Sequence, residues 1–244
     1  MVYQGSKNRI AKFLVPIIQK YIDANNIKTY VEPMVGGANV IDKIKCERKI
    51  GADKQEYLIA LYQNLHRLNE LPDFVTKEHY SEVRDCFKNQ TETFEKWYIG
   101  AIGFLASYNG RFFDGGYSGV VTTKSGVTRN YYDEAKRNLE TQLKNLKNIE
   151  WESGDYKDTC SKFENCLIYC DPPYKGTKQY NSSKNFDYDE FWDWCYEMSK
   201  NNIVLVSEYN SVKDFECIWE QEVKRTINNN HHIKSIERLF KIKS

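Results

Sequence analysis

The segment at residues 29–68, TYVEPMVGGANVIDKIKCERKIGADKQEYLIALYQNLHRL, decides the fold class that the sequence predicts. It contains two β-rich runs, residues 29–33 and 48–53, and each run is followed by apolar residues at helical spacing. We therefore expect one helix at residues 38–47 and a second at residues 56–68. Alternation of strand and helix is typical of a parallel sheet, so the sequence predicts a Rossmann-like α/β fold.

The rest of the chain predicts a core that is interrupted once. Helical stretches after residue 75 are followed by a Gly-rich, aromatic run at residues 108–126, which indicates a hairpin or an exposed loop. Strand patterns then resume at residues 148–152, 166–170, 203–208, 215–223 and 236–243, the last two as a terminal antiparallel pair. We predict a core of residues 1–74 and 146–244 with an insertion at residues 75–145.

The composition of the 244 residues argues against membrane and metal proteins. No apolar run approaches the roughly 20 residues of a membrane span, and the first residues lack the apolar centre of a signal peptide. The seven cysteines form no C-x-x-C pair, and the tight group Cys160, Cys166 and Cys170 has no histidine nearby. We therefore expect buried free thiols, no metal and a cytoplasmic location.

Charge is distributed unevenly along the chain, although the formal net charge is only +1. Residues 1–20 carry four bases and no acid, residues 221–244 carry six bases against two acids, and residues 108–148 carry seven against four. Basic surfaces attract DNA phosphates, so these segments are weak indicators of a nucleic-acid partner.

The strongest local motif is Asp171-Pro172-Pro173-Tyr174, which directly follows an apolar strand. Ligands bind beyond the carboxyl ends of strands in an open parallel sheet. A carboxylate and a free proline carbonyl there can each accept one N–H bond from the amino group of adenine, which draws the nitrogen lone pair out of the ring. The tyrosine can stack on the base. The alternative is a plain strand-to-loop turn.

Two further features follow the first two predicted strands. Gly36 and Gly37 lie after the first strand, where glycines let the backbone approach a ligand and where helix amides can face it. Asp53 ends the second strand, and an acid at that position can accept both ribose hydroxyls of a nucleotide. Its alternative role is to cap the following helix.

Taken in order, the motifs resemble those of the Dam-like adenine-N6 DNA methyltransferases, in particular small phage or restriction-modification members. The resemblance covers almost the whole chain and rests on YQGSK at residues 3–7, VEPMVGG at 31–37, GAD at 51–53, SGDY at 153–156, DPPY at 171–174 and SEYN at 207–210. It implies a Rossmann-like methyltransferase sheet that uses S-adenosylmethionine, with a DNA-recognition insertion, in a bacterial or phage-infected cell.

The resemblance also assigns expected cofactor contacts. Lys7 matches the residue that holds the methionine carboxylate, Asp53 the ribose-binding acid, and Asp155 the partner of the cofactor adenine. Lys7 could otherwise be an ordinary surface lysine, and Asp155 a turn residue with a local hydrogen bond. The complete set of expected cofactor residues is Tyr3, Lys7, Glu32, Pro33, Gly36, Gly37, Asp53, Asp155, Tyr156 and Asp171.

The insertion supplies the expected DNA contacts. Asn109 and Arg111 carry side chains that read base edges, and Lys124 and Arg129 suit phosphates. Phe112 could wedge into the base stack, or it could belong to the small private core of a surface hairpin. Residues 111–116 depart from the pattern of the GATC-specific members, so the sequence does not predict recognition of GATC. The polar run at residues 175–187 could close over the base or serve as a linker.

The predicted function is methyl transfer to N6 of a flipped adenine in double-stranded DNA by a monomer or weak dimer, with Asp171, Pro172, Pro173 and Tyr174 as the catalytic motif. One alternative is an amino-methyltransferase that acts on RNA adenine, cytosine N4 or a glutamine side chain. Another is a catalytically silent DNA-binding relative. Cofactor binding separates the silent relative from the enzymes.

Overall fold

A computed structural model describes residues 1–123, 125–174, 186–228 and 231–243, and within these it leaves out the side chains of 224–228 and 231–234. Within these residues, nine strands form one seven-stranded sheet and one small hairpin. They are β1 (Thr29–Glu32), β2 (Arg48–Asp53), β3 (Val120–Thr122), β4 (Thr128–Asn130), β5 (Ile149–Ser153), β6 (Leu167–Cys170), β7 (Ile203–Glu208), β8 (Phe215–Asn228) and β9 (His231–Ile242).

Seven α-helices accompany them in the described part of the chain. They are α1 (Ala11–Ala24), α2 (Glu56–Gln63), α3 (Lys77–Asn89), α4 (Lys96–Leu105), α5 (Tyr131–Leu146), α6 (Tyr156–Cys160) and α7 (Tyr188–Met198). Short 3-10 segments occur at Lys7–Arg9, Ile41–Lys43, Leu65–Glu70 and Tyr108–Gly110.

The large sheet has the strand order β5-β2-β1-β6-β7-β9-β8. The first five strands in this order are parallel, and β9 pairs antiparallel with both β7 and β8. The order reverses between β1 and β6, which is the switch point where ligands bind in open α/β sheets. The fold is therefore a Rossmann-like α/β fold, as the sequence predicts.

Apolar side chains on both faces of the sheet hold helices against it, since successive residues of a strand point to opposite faces. Tyr30, Tyr169 and Leu205 belong to the larger apolar cluster on one face, whereas Ile168 and Val204 belong to the cluster on the other. Each such buried side chain contributes roughly 1.5–3 kcal/mol relative to an exposed one. The two layers fix the sheet, and with it the positions of the strand ends.

Residues 75–145 form α3, α4, the β3–β4 hairpin and α5, and they share the larger apolar cluster with the rest of the chain. Helix α4 packs closely on α2 at Gly100, where an added Cβ atom would lie 2.1 Å from the carbonyl oxygen of Tyr57. A larger residue at position 100 would therefore force the two helices apart. The predicted insertion is thus in direct contact with the core.

The helix predicted at residues 38–47 is wrong. Only the 3-10 turn Ile41–Lys43 forms there, Ala38 has a left-handed φ of 53°, and Ile44 is extended. The amide of Gln142, on α5, donates to the carbonyl of Ala38 at 2.8 Å and to Asp42 Oδ2 at 3.0 Å. A partner far along the chain thus satisfies polar groups of this irregular segment.

Two further predicted elements are corrected. The helix expected at residues 56–68 ends at Gln63 and continues as the 3-10 segment Leu65–Glu70. The run at residues 108–126, expected as a hairpin or an exposed loop, begins with the turn Tyr108–Gly110, and the paired strands lie later, at Val120–Thr122 and Thr128–Asn130. Gly110 has a φ of 64°, which favours a tight turn over a strand.

No helix among the described residues is long and apolar enough to cross a membrane. All seven cysteines are free. The group Cys160, Cys166 and Cys170 is buried, as predicted, but Cys46 is half-buried and Cys217 is exposed, so burial does not extend to every thiol. In the same part of the chain no cluster of three potential metal-binding side chains is found.

Candidate active site

Four acidic residues lie in a row at the carboxyl edge of the parallel sheet. Asp155 follows β5, Asp53 ends β2, Glu32 ends β1 and Asp171 follows β6, and these four strands are consecutive in the sheet. Parallel strands bring their carboxyl ends to one edge, so residues from positions 32 to 171 meet along it. This edge includes the switch point between β1 and β6.

Asp171 is paired with Lys7 in a largely buried position. Lys7 Nζ lies 2.8 Å from Asp171 Oδ1, and the side chains are 10% and 20% exposed. Lys7 begins a 3-10 turn that Ser6 caps, because the Ser6 hydroxyl oxygen accepts a hydrogen bond from the Asn8 amide at 3.2 Å. Burial raises the pKa of Asp171, and the nearby positive charge of Lys7 offsets only part of that rise.

Tyr174 is buried and contacts three other side chains. Its hydroxyl donates a hydrogen bond to Glu237 Oε2 at 2.7 Å, and its ring meets that of Tyr209 edge-on with the centroids 4.5 Å apart. Lys7 Nζ lies 4.3 Å from the centre of the Tyr174 ring. Pro172 is buried and Pro173 is half-buried. The motif is therefore anchored by both terminal segments of the described chain.

Asp53 organises the glycine turn after β1. Its two carboxylate oxygens accept hydrogen bonds from the backbone amides of Gly36 and Gln55, each at 3.0 Å. Burial raises the pKa of Asp53, and these two hydrogen bonds counteract the rise. The residue that caps α2 is Gln55, so the alternative role of Asp53 as that cap is wrong. Gly36 has a φ of 46°, a conformation that favours glycine.

Glu32 is buried at the end of β1 and accepts a 2.6 Å hydrogen bond from the hydroxyl of Tyr30. Burial raises the pKa of Glu32 to about 8; the hydrogen bond from Tyr30 lowers it, and the charge of Asp171 adds to the rise. Glu32 is therefore mostly protonated at neutral pH. Pro33, which follows it, is also buried.

Tyr3 connects the glycine turn to the insertion. An added Cβ atom at Gly36 would lie 2.9 Å from the Tyr3 ring, so the ring lies directly against the turn. The same ring stacks on Phe104 of α4 with the centroids 5.8 Å apart. The expected helix after the glycines is absent, and the turn faces Tyr3 instead of presenting helix amides.

Asp155 makes a local hydrogen bond, as its alternative role of a turn residue predicts. Its carboxylate caps α6 by accepting from the Lys157 amide at 3.2 Å, and it pairs with Lys54 at 3.4 Å. Tyr156 is buried, and its ring meets those of Phe191 and Trp194. Asp155 remains half-exposed at the sheet edge, whereas Tyr156 packs beneath it.

The expected DNA contacts are found in different settings. Asn109 is exposed with a left-handed φ of 56°, and Arg111 is half-buried. Arg129 is exposed on β4 and pairs with Glu134 at 2.8 Å. Lys124 lies outside the described residues, as do residues 175–185 of the polar run.

Phe112 belongs to a cluster of aromatic rings. Its centroid lies 5.5 Å from that of Tyr57, 4.9 Å from those of Phe87 and Phe104, and 4.8 Å from that of Phe113. The packing alternative therefore accounts for Phe112 without DNA. This cluster joins α2, α3 and α4, so it is more than the private core of a hairpin.

Sequence reasoning missed Glu237, which lies on β9 and contacts Tyr174. A signal for it exists in the sequence. Residues two apart in a strand share a face, and Leu239 is a buried apolar residue on the face of Glu237. An acid on the buried face of an apolar strand is unusual and requires a partner.

The strand order defines a Rossmann-like protein, and the row of acids lies at its switch point. The chain belongs to the family of D12 class N6 adenine-specific DNA methyltransferases, whose family model matches residues 3–212. This confirms the resemblance found in the motifs. The protein is therefore a DNA adenine-N6 methyltransferase.

A relative from Methanocaldococcus jannaschii, the Type II methyltransferase M.MjaIII, is 28% identical over 214 residues, which cover 77% of this chain and 74% of the relative. Among solved structures, the protein yhhF from Escherichia coli, described as a methyltransferase, is 6% identical over 97% of this chain and 86% of its own, with a TM-score of 0.38. The protein SMU.472, described as a methyltransferase complexed with SAH, is 12% identical over 95% of this chain and 53% of its own, with a TM-score of 0.37.

Proposed function

We propose that the protein transfers a methyl group from S-adenosylmethionine to N6 of an adenine flipped out of double-stranded DNA. The observation that carries the proposal is the position of the Asp171 motif at the switch point, in line with Glu32 and Asp53. Family membership supports adenine in DNA as the substrate.

The residues along the sheet edge suit the charges and hydroxyls of S-adenosylmethionine. Each oxygen of the Asp53 carboxylate already accepts one backbone N–H bond and retains a second acceptor site for a ribose hydroxyl. Lys7 has three N–H donors, so it can keep its contact with Asp171 and also bind a carboxylate. Asp155 can accept from an exocyclic amine. When bound, the cofactor supplies an electrophilic methyl group on a sulfonium.

We assign the acceptor roles at the target adenine to Asp171 and the Pro172 carbonyl. Each accepts one N6–H bond, which localises the lone pair on N6, and the Tyr174 ring stacks on the base. As the bond between N6 and the methyl carbon forms and the bond between that carbon and sulfur breaks, N6 must lose a proton. Asp171 Oδ1 or Oδ2 can accept it, and its raised pKa makes it a better base than an ordinary carboxylate.

We assign target recognition to residues 75–145. Gly110, between the exposed Asn109 and the half-buried Arg111, lies against the backbone of Tyr3, whose ring touches the glycine turn, so base-reading residues would lie near the site of chemistry. Arg129, on the exposed hairpin, suits a phosphate contact. Base flipping brings the adenine out of the duplex to a carboxylate that is 20% exposed.

The test is transfer of tritium from labelled S-adenosylmethionine to unmethylated genomic DNA, followed by digestion to nucleosides. Label in N6-methyldeoxyadenosine is expected from the wild type. Asp171→Ala is expected to lower the rate by about 10³-fold or more, because it removes an N6–H acceptor and the proton acceptor. Asp193→Ala, an exposed aspartate on α7, is the matched control. Label in N4-methyldeoxycytidine, or no label in DNA although the cofactor binds, would contradict the proposal.

A further inference from the structure

Glu237 lies beyond residues 3–212, to which the family model matches, yet it contacts the active-site motif. Its side chain is 7% exposed. In the register of the sheet Arg238 pairs with Glu208, the last residue of β7, so Glu237 lies one residue past that end at the carboxyl edge. A strand that is antiparallel to the core thus brings a carboxylate to the edge where the parallel strands end.

We propose that Glu237 is a positioning residue that fixes the Tyr174 ring, and through Lys7 also the Asp171 carboxylate, for methyl transfer. The inference rests on the proposed function. Glu237 is not a catalytic residue in this account, because Tyr174 and Lys7 lie between it and the place of the adenine.

A hydrogen bond to Glu237 holds the Tyr174 ring. Tyr174 follows a strand as part of a loop, and its ring could rotate about two side-chain bonds. The 2.7 Å bond from its hydroxyl to Glu237 Oε2 is a hydrogen bond to a carboxylate, a strong type that fixes the far end of the ring. Tyr209 fixes the ring from the side. A stacking ring with one orientation loses less freedom when the base arrives.

Glu237 also acts through the charge of Lys7. Lys7 Nζ lies 2.8 Å from Asp171 Oδ1 and 3.9 Å from Glu237 Oε2, so one ammonium is shared by two carboxylates. The longer distance makes Glu237 the weaker partner of Lys7, and its contact with the Tyr174 hydroxyl is the closer one. Glu237 thereby limits where Lys7 can sit, and Lys7 in turn orients Asp171.

Burial of the Glu237 carboxylate has a cost in stability. Burying a carboxylate is unfavourable unless partners compensate, and an apolar residue of similar volume is often at least as stabilising. Leu239 and Phe240 show that β9 carries apolar residues at neighbouring positions. Stability alone therefore gives little reason for an acid at position 237, whereas positioning of Tyr174 and Lys7 does.

The experiment measures single-turnover methyl transfer to unmethylated genomic DNA with saturating tritium-labelled S-adenosylmethionine. Glu237→Ala and the volume-matched Glu237→Leu are expected to lower the rate constant by about 10- to 100-fold, because small misplacements of reacting groups carry costs of that size. The KM for DNA and the affinity for the cofactor should stay within about threefold. Glu237→Gln, whose amide oxygen still accepts a hydrogen bond, should lose less than about fivefold.

Tyr174→Phe removes the same hydrogen bond from the other side and should lower the rate constant by a similar factor. Adding Glu237→Leu to Tyr174→Phe should then cost clearly less than the product of the two single losses, because the shared hydrogen bond is already gone and only the contact of Glu237 with Lys7 remains to be removed. The matched control is Glu220→Gln, a carboxylate on the same hairpin that pairs with Arg238, is 61% exposed and should keep the wild-type rate.

Wild-type rates in either Glu237→Leu or Tyr174→Phe would overturn the inference, as would fully multiplicative losses in the double variant. If Glu237→Ala does not fold, Glu237→Leu and Tyr174→Phe still decide. Failure of the proposed function is distinct, because the wild type would then place no label in N6-methyldeoxyadenosine.

Discussion

The carboxyl edge of the sheet and the β3–β4 hairpin region both carry charged residues, but they hold them differently. At the edge, Lys7 pairs with Asp171, which is far from it in the sequence, and both side chains are largely buried. In the hairpin region, Arg129 pairs with Glu134 and Arg137 with Asp133, all within a few residues and mostly exposed. Under the proposed function this difference is expected, because groups that take part in a reaction need to be fixed in advance, whereas a surface that contacts DNA can rearrange when the partner binds.

The largest expected effect tests whether Phe112 belongs to the packed interior or to the exposed surface of the insertion. Phe112→Ala should lower the free energy of unfolding by about 3 kcal/mol, because Phe112 contacts four other rings. Urea denaturation measures the loss. Phe74→Ala, at a phenylalanine that is 60% exposed, should change stability by less than about 0.5 kcal/mol. Unchanged stability of Phe112→Ala together with weaker DNA binding would return Phe112 to the DNA interface.

The next effect would test how far the sheet edge is fixed in advance. Asp53→Asn should weaken binding of S-adenosylmethionine about 10- to 100-fold, because an amide cannot accept from Gly36, Gln55 and the ribose at once. Titration calorimetry measures the affinity. Asp158→Asn, at an exposed position of α6, provides the control. Equal affinities of the wild type and Asp53→Asn would remove Asp53 from the cofactor site.

A third effect would show the cost of burying an acid at the edge. The pKa of Glu32 is raised from 4.5 to about 8, so the folded state keeps a proton that the unfolded state loses between these values. Glu32 therefore contributes a fall in unfolding free energy as pH rises from about 5 to about 8, of up to about 1.4 kcal/mol per pH unit. Glu32→Gln lacks this group, so its unfolding free energy should not show this fall. The unfolding free energy of the variant minus that of the wild type should therefore increase as pH rises over this range.

Urea denaturation at pH 5.5 and pH 8 checks this dependence on Glu32. The control is Glu150→Gln on β5, because the hydrogen bond from Arg48 lowers the pKa of Glu150 and leaves it ionised throughout this range. If the unfolding free energies of Glu32→Gln and the wild type changed equally between the two pH values, Glu32 would be ionised in the folded protein.

The smallest effect concerns the β3–β4 hairpin region alone. Arg129→Ala should weaken DNA binding only a few-fold and reduce the slope of log affinity against log salt by about 1, as loss of one phosphate contact predicts. Filter binding over a range of salt concentrations measures the slope. Lys28→Ala, at the opposite edge of the sheet beside the start of β1, should leave the slope unchanged. An unchanged slope for Arg129→Ala would place this arginine away from DNA.

The strands were predictable because burial on both faces leaves a clear apolar pattern. Strands β2 and β7 occupy the residues that the sequence predicts, and the terminal pair β8–β9 was predicted as antiparallel. The failure at residues 38–47 has a different cause. Apolar residues there recur at helical spacing, but Gln142 of α5 binds backbone and side-chain groups of the turn, and no local pattern reveals such a distant partner.

The candidate site was predictable where a residue follows a strand. Asp53 and Asp171 could be placed at the edge because strand ends are visible in the sequence. The ion pair of Lys7 with Asp171 and the bond of Tyr174 to Glu237 could not, since each joins segments whose approach depends on the whole sheet. The setting of Phe112 was left open for the same reason, because its partners lie on three helices.

The position of β9 between β7 and β8 has a consequence for synthesis of the protein. Strand β7 pairs with β6 on one side and with β9 on the other. Until residues 231–242 leave the ribosome, the nascent chain carries Ile203–Glu208 as an open strand edge, which is prone to pairing with other chains. The same strand carries Glu237, which contacts Tyr174. A polypeptide released before residue 237 would therefore be prone to aggregation and would also lack Glu237.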